Sequence, residues 1–449
     1  MSPTNRSAVL YRDLNATPAT IARGSGVHLF DTEGRRYLDG SASAGVVGIG
    51  HGRTEIAEAL RAAGDSVVFV YGSSGFTHPW QEELAQRLVD GAPDNMRSVY
   101  FVSGGSEANE SAIKLARQYH VERGRAQKYK LIARWQGYHG VTLATLSLSG
   151  RTSWRQIYSP YMLPVTHITP PYAYRSPYPV IDGDPTIAMA DELERIIQLE
   201  GPDTVSAFFA EPVVGTSAAA LVPDPAYYRR IREICDRYDV LFVADEVLCG
   251  YGRTGQTWAI QHWGVEPDII TAGKMIGSGY TPLGAMIVSD KVESALRDGT
   301  GRFVHGFTYS GMPAACFIGL EVARIMEREQ LFTRGRDLEA RLLDGLRALQ
   351  QRHEMIGDVR GIGLMAGIEF VADRETRAPF PREAKVTDRV VAGLRRRGVL
   401  VGAGVAGVNY GLDGDHIQIS PPLVISAAEI DEIVAALDAV LTEDFGSGA

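Results

Sequence analysis

A chain of 449 residues exceeds the roughly 250–300 residues that one hydrophobic core serves, so two or more domains are expected. Hydrophobic residues at 45% and charged residues at 22% are ordinary globular values and call for no disulfide or metal staple. With 45 Lys and Arg against 54 Asp and Glu, the net charge of −9 argues against nucleic acid as a partner, which leaves a basic footprint, and disfavours an anionic membrane surface.

The start, Met1 to Leu10, has no basic region followed by an apolar stretch, so it does not read as a secretory signal. No window approaches the ~18 uninterrupted apolar residues of a membrane helix, and a soluble cytoplasmic protein is the default expectation. Val27–Leu38 reads as strand–turn–strand around Thr32-Glu33-Gly34. From about residue 95 to 310, short apolar runs alternate with helical patterns. Ser98–Val102, Tyr129–Ala133, Val205–Ala210 and Val240–Ala244 predict strands covered on both faces, because they are apolar without alternation. Ser106–Tyr119 and Pro225–Tyr238 predict helices between them. Strands separated by helices imply right-handed crossovers and a largely parallel sheet.

Pro160–Pro185, rich in proline and tyrosine, predicts a long surface loop. After residue 312 the order loosens: helical over Ala323–His353, strand over Gly363–Val371, helical over Glu383–Arg397, strand over His416–Ser420. Ser426-Ala427-Ala428-Glu429 is a capping box opening a last helix. These elements suggest a smaller α+β domain. Cys235, Cys249 and Cys316 form no CxxC pair, so a zinc site or disulfide framework is not expected, and the histidines form no HExxH cluster.

Four short motifs carry chemistry. Ser103-Gly104-Gly105-Ser106-Glu107-Ala108-Asn109 follows a strand and opens an amphipathic helix with Ala108, Ala112, Leu115, Ala116 and Tyr119 on one side. Free N–H groups at such a terminus suit an anion, phosphate above all, although the same residues also read as a plain turn and cap. Gln136-Gly137-Tyr138-His139-Gly140 is a glycine-flanked aromatic pair, read either as a ring offered to a flat ligand or as a turn with a packed tyrosine. Val240–Val247 ends an apolar strand in Asp245-Glu246, where open α/β sheets bind ligands. An aspartate there can hold a proton on a heteroaromatic nitrogen, or bind magnesium, or merely cap. Asp268–Gly279 places Lys274 between an apolar strand and a glycine-rich loop. A lone lysine is most often structural or a solvated surface group, but one buried near a cation or in an apolar pocket loses basicity and can form imines.

In this order, and together with LFDTEGRRYLDG, FVSGGSEANE, Glu211-Pro212, FVADEV, TAGK, HGFTYSGMPAA and VRGIGLMAGIEF, the motifs resemble the class III aminotransferases of fold type I over nearly the whole chain. The resemblance implies an α/β fold: a large domain with a mostly parallel sheet flanked by helices, residues 61–311, and a smaller α+β domain. The smaller domain is built from an N-terminal segment, residues 1–60, and a C-terminal one, residues 312–449. It implies pyridoxal 5′-phosphate as cofactor, with Gly104, Gly105 and Ser106 on its phosphate, Tyr138 and Val247 on the two faces of its ring, Asp245 on the ring nitrogen and Lys274 as the Schiff-base lysine. Thr308 is implied to reach the phosphate of the neighbouring subunit, which makes a homodimer (or a tetramer) necessary for a complete site. His139 and Glu211 match positions near the cofactor. Lys274, Asp245 and Tyr138 are the implied catalytic residues of a ping-pong transamination. A racemase, aminomutase or decarboxylase on the same scaffold is the alternative.

The departures bear on the substrate. Members that use 2-oxoglutarate carry an arginine where this chain has Gln418, and a glutamate that parks it where this chain has Thr216. The mobile arginine of many ω-amine transaminases is missing from Asn409–Leu412, and Ser43–Val47 is all small where those enzymes often have tryptophan. Met312 replaces a frequent histidine, with little catalytic effect expected. The expectation is an ω-amine or amino acid donor, a roomy pocket and pyruvate favoured over 2-oxoglutarate. Arg23, Arg151 and Arg360 remain open as carriers of a carboxylate contact.

Overall fold

The structure is a computed structural model that describes residues 7–178, 186–405 and 407–446. Near the start, Ile21–Ser25 (β1), His28–Asp31 (β2) and Arg36–Asp39 (β3) form an antiparallel meander. The turn at Gly34 has a φ of 81°, the left-handed region that glycine enters without steric cost.

Seven strands then build the main sheet: Met96–Val102 (β4), Lys130–Arg134 (β5), Val165–Ile168 (β6), Val205–Ala210 (β7), Leu241–Asp245 (β8), Ile269–Ala272 (β9) and Gly284–Ser289 (β10), in the order β4-β10-β9-β8-β7-β5-β6. Every residue of β7 and β8 is buried, as runs such as VSAFFA and LFVAD require. The edge strand β4 is only half covered, so the expectation of two covered faces fails there. β10 runs antiparallel to both β4 and β9, while β5 to β9 are mutually parallel. Two antiparallel steps restore the direction of β4, so its carboxyl end lies on the same edge as those of β5, β7, β8 and β9.

Further along, Ile356–Ile362 (β11), Met365–Phe370 (β12), Val399–Leu400 (β13), Gly402–Ala403 (β14) and Asp415–Ile419 (β15) complete the strands. β11, β12, β15 and β14 form an antiparallel sheet, and β13 pairs in parallel with β3. The C-terminal part thereby extends the N-terminal meander.

Most expected elements shift by only a residue or two, the ordinary uncertainty of element ends, and Pro225–Tyr238 matches. The helix expected over Ser106–Tyr119 runs from Gly105 to Glu122 and buries Ala108, Ala112, Leu115, Ala116 and Tyr119. Ser426 accepts from the Glu429 N–H, completing the capping box.

Four expectations change. The stretch Ala323–His353 is two helices, Pro313–Arg328 and Leu331–Arg352, separated where Gln330 turns left-handed with φ 54°. Gly363–Val371 is the second arm of a hairpin, with Gly363 at φ 60° in the turn. The helix expected over Glu383–Arg397 starts at Val386, after a short 3₁₀ turn at Arg382–Ala384. The loop expected over Pro160–Pro185 contains β6, which extends the main sheet beside β5; residues 179–185 lie outside the described part. A four-residue strand with one buried residue leaves too little periodicity to be seen among prolines.

Candidate active site

The carboxyl edge of the main sheet opens into a cavity of about 1120 Å³, the place where open α/β sheets hold ligands. Five strand ends deliver its floor. β4 leads into Ser103-Gly104-Gly105-Ser106, β5 into Tyr138 and His139, β7 into Glu211, β8 ends at Asp245, and β9 leads to Lys274; all of these residues line the cavity.

The helix beginning at Gly105 presents the N–H groups of its first turn, which have no acceptor within the helix. Nothing larger than glycine fits beside it. A Cβ on Gly105 would come within 2.7 Å of Val247 Cγ1, and one on Gly140 within 2.6 Å of Ser106 Oγ. Ser106 Oγ accepts from the Val141 N–H at 3.1 Å, which ties the anion-binding turn to the loop carrying Tyr138.

Asp245 is fully buried and held on three sides. Its Oδ2 lies 2.7 Å from His139 Nδ1 and accepts from Asn109 Nδ2 at 2.8 Å, while Oδ1 accepts from the Val247 N–H at 3.1 Å. Asn109 in turn donates to the His139 carbonyl at 2.9 Å and accepts from Thr271 Oγ1 at 3.0 Å. Such a network fixes one orientation of the carboxylate. Glu246, the second acid of the motif, turns away: its oxygens accept from the N–H groups of Ala259 and Ile260 at 2.8 and 2.7 Å, and burial pushes its carboxyl up to about 7.

Glu211 accepts from the N–H groups of Tyr138 at 2.8 Å and Gly215 at 2.9 Å, and burial raises its carboxyl above the ordinary range. Its carboxylate therefore shapes the aromatic loop. Burial lowers the Lys274 amine from its ordinary value, against the pull of Glu211 and Asp245. A primary amine of reduced basicity, a buried carboxylate, a helix N-terminus and an aromatic ring in one cavity form the donor set that a phosphorylated pyridine aldehyde requires.

Against this geometry, the family model for class III aminotransferases matches residues 11–441. This chain belongs to the class III aminotransferases. It is 36% identical over 426 residues to the putrescine–pyruvate aminotransferase of Pseudomonas aeruginosa, spanning 94% of this chain and 91% of that one. To the diaminobutyrate–2-oxoglutarate transaminase of Halomonas elongata it is also 36% identical, over 94% of this chain and 89% of that protein. A solved amine transaminase from an uncultivated Pseudomonas species, in its PLP-bound form, superposes with a TM-score of 0.89 at 36% identity, covering 98% of this chain and 97% of that one. The aminotransferase thus has the fold type I architecture and uses pyridoxal 5′-phosphate.

Of the residues singled out in the sequence, Gly104, Gly105, Ser106, Tyr138, His139, Glu211, Asp245, Val247 and Lys274 converge on the cavity. Thr308 does not: it is exposed and lies outside the lining of its own chain's cavity. Ala44, Val46 and Thr216 line the cavity too. Gln418 is buried but is no part of the lining. Among the three open arginines, Arg360 is taken up by Asp358, Glu369 and the Ala218 carbonyl, and Arg23 sits over the Phe30 ring. Only Arg151 of these three reaches the cavity.

Sequence reasoning missed Asn109, Arg12 and Trp154. The signal for Asn109 was present, a polar side chain on the apolar face of its helix beside Ala108 and Ala112. Arg12 and Trp154 join the lining only through the fold, and no local pattern marks them.

Proposed function

We propose that this aminotransferase moves an amino group from an ω-amine or amino acid donor to a small keto acid such as pyruvate, in two half-reactions that share one cavity. The observation that supports it most is the convergence of Lys274 with the Asn109–Asp245–His139 network and the Gly105 helix start.

When bound, pyridoxal phosphate supplies an electron sink for the carbanion left by loss of a substrate proton. The roles of this chain's residues follow from their chemistry. Gly104, Gly105 and Ser106 take the phosphate at the helix N-terminus. Tyr138 and Val247, both in the cavity lining, would cover the ring of the bound cofactor and keep water out. Asp245 holds the proton on the ring nitrogen, and the Asn109 and His139 contacts keep its carboxylate aimed. Lys274 would hold the cofactor covalently at rest, and its Nζ, when free, would carry the proton from the substrate carbon to the cofactor carbon it had occupied. Glu211 keeps the Tyr138 loop in place through its two backbone contacts. Because the amino group leaves the first substrate before the second enters, ping-pong kinetics follow.

The acceptor is read from this chain's own residues, since relatives of equal identity carry either pyruvate or 2-oxoglutarate in their names. Gln418 and Thr216 remove the arginine–glutamate pair expected for a dicarboxylate acceptor. Ala44 and Val46 leave room for a bulky donor. We further place the enzyme in the cytoplasm as a homodimer, with residues 1–60 and 312–449 forming a small domain beside a large domain of residues 61–311. None of the described helices is long and apolar enough to cross a membrane.

The test is an absorbance titration of the cofactor-loaded enzyme. Addition of 1-phenylethylamine bleaches the visible band, and pyruvate restores it faster than 2-oxoglutarate does; Lys274→Ala shows neither change. A band that no amine bleaches removes transamination of amines, and faster recovery with 2-oxoglutarate removes the acceptor assignment.

A further inference from the structure

Arg151 caps the start of the short helix Thr152–Tyr158 and turns its guanidinium into the cavity. The guanidinium carbon lies 4.4 Å from the centre of the Tyr138 ring and 5.0 Å from that of Trp154. Its Nε donates to Ser217 Oγ at 2.8 Å and one terminal nitrogen to Thr216 Oγ1 at 2.5 Å. Among the described residues its side-chain hydrogen bonds run to these two hydroxyls and to no carboxylate. The two acids of the same cavity are occupied elsewhere: Asp245 by His139, Asn109 and Val247, Glu211 by Tyr138 and Gly215.

A guanidinium partly withdrawn from water with no carboxylate bonded to it is costly, and burial lowers its pKa here against the more distant pull of Glu211. Hydroxyls position such a group but do not neutralise it. With two perpendicular rings beside it and hydroxyls on two donors, the planar fork keeps one terminal nitrogen for an incoming ligand. The fork is matched to a carboxylate. Arg12, the other arginine of the lining, is exposed on the N-terminal segment, and its charge is largely screened by water.

We infer that Arg151 is the specificity-determining residue that holds the carboxylate of the keto-acid or amino-acid substrate, in place of the arginine that Gln418 does not supply. This rests on the transaminase reading above. It also accounts for a monocarboxylate acceptor, because only one guanidinium of the lining, that of Arg151, is withdrawn from bulk water and it meets a single carboxylate. Amines without a carboxylate do not use it.

The experiment compares wild type with Arg151→Gln and Arg151→Lys as cofactor-loaded enzymes. Calorimetric titration with propanoate, an unreactive carboxylate, is run beside the rate of band bleaching by 1-phenylethylamine and the KM for pyruvate. Arg151→Gln is expected to weaken propanoate binding and raise the KM for pyruvate on the order of 10- to 150-fold, the range for a hydrogen bond to a charged group. The bleaching rate with the carboxylate-free amine is expected to lose severalfold less than the pyruvate reaction does, while Arg151→Lys, which keeps charge but not the fork, falls between. Unchanged propanoate affinity in Arg151→Gln, or equal losses for the amine and for pyruvate, overturns the inference. Should no amine bleach the wild-type band while Arg151→Gln still abolishes propanoate binding, the transaminase reading falls and the carboxylate site stands. If Arg151→Gln does not fold, Arg151→Lys decides: propanoate affinity equal to wild type overturns the inference.

Discussion

Lys274 is held in a left-handed backbone conformation, φ 47°, and its amine is withdrawn from water. Left-handed backbone at a non-glycine residue costs about 1–2 kcal/mol, and such strain collects at functional sites. The amine adds a second, pH-dependent cost. Because burial lowers its folded-state pKa below the ordinary 10.5, the charged form is penalised in the folded chain and not in the unfolded one. The penalty is present below the folded pKa and fades as pH rises to 10.5, above which the amine is neutral in both states. In cofactor-free protein, Lys274→Met is therefore expected to melt higher than wild type at pH 7, with the gap closing toward pH 10.5, as measured by calorimetric scans. An equal gap at both pH values would assign the effect to packing. Lys274 and Asp245 were legible in the sequence because each follows an apolar run that only a buried strand explains. The partners that aim Asp245, and the setting of Arg151, were not, because Asn109 and His139 lie 136 and 106 residues from Asp245 and Arg151 meets Thr216 across 65. Contacts at that separation leave no local pattern.

The break at Gln330 shows what an element hides from its own sequence. Helix Pro313–Arg328 ends with Glu329 as its cap and Gln330 left-handed beyond it, the place that glycine fills in most helices. Glutamate and glutamine are good helix formers, so Glu329-Gln330 reads as helix interior, and one long helix was the natural expectation. The opposite holds for the turn after β4, where Gly104-Gly105 announces itself and the structure needs the glycine because Val247 stands 2.7 Å from an added Cβ. Replacing Gln330 by glycine removes the left-handed penalty and returns part of it as unfolded-chain entropy. Gln330→Gly is expected to stabilise the fold by about 1 kcal/mol, checked by urea unfolding with an unchanged m-value. Destabilisation would mean that the Gln330 side chain carries a contact worth more than the strain.

At the scale of the whole molecule, the cavity is built by residues from Arg12 to Val405, yet Thr308 stays outside it and exposed. Beside it in the chain, Val304 is 75% exposed and Tyr309 packs edge-on against Phe69 at 6.2 Å; Val68 and Phe76, close to Phe69 in the chain, are each 70% exposed. Apolar surface of this kind marks a contact with another chain, and a two-fold pair would carry Thr308 of each chain to its partner. The proposal that Thr308 completes the partner's phosphate site has a direct test by complementation. Lys274→Ala and Thr308→Asp are each expected to be inactive as pure homodimers, the second because a carboxylate repels the phosphate. A hybrid of the two has one site with both defects and one with neither. Co-expression in equal amounts makes half the dimers hybrids, so about one quarter of the sites should work, read as the rate of pyruvate-dependent recovery of the visible band. If Thr308 served its own chain, every site in the mixture would keep one defect and no activity would return.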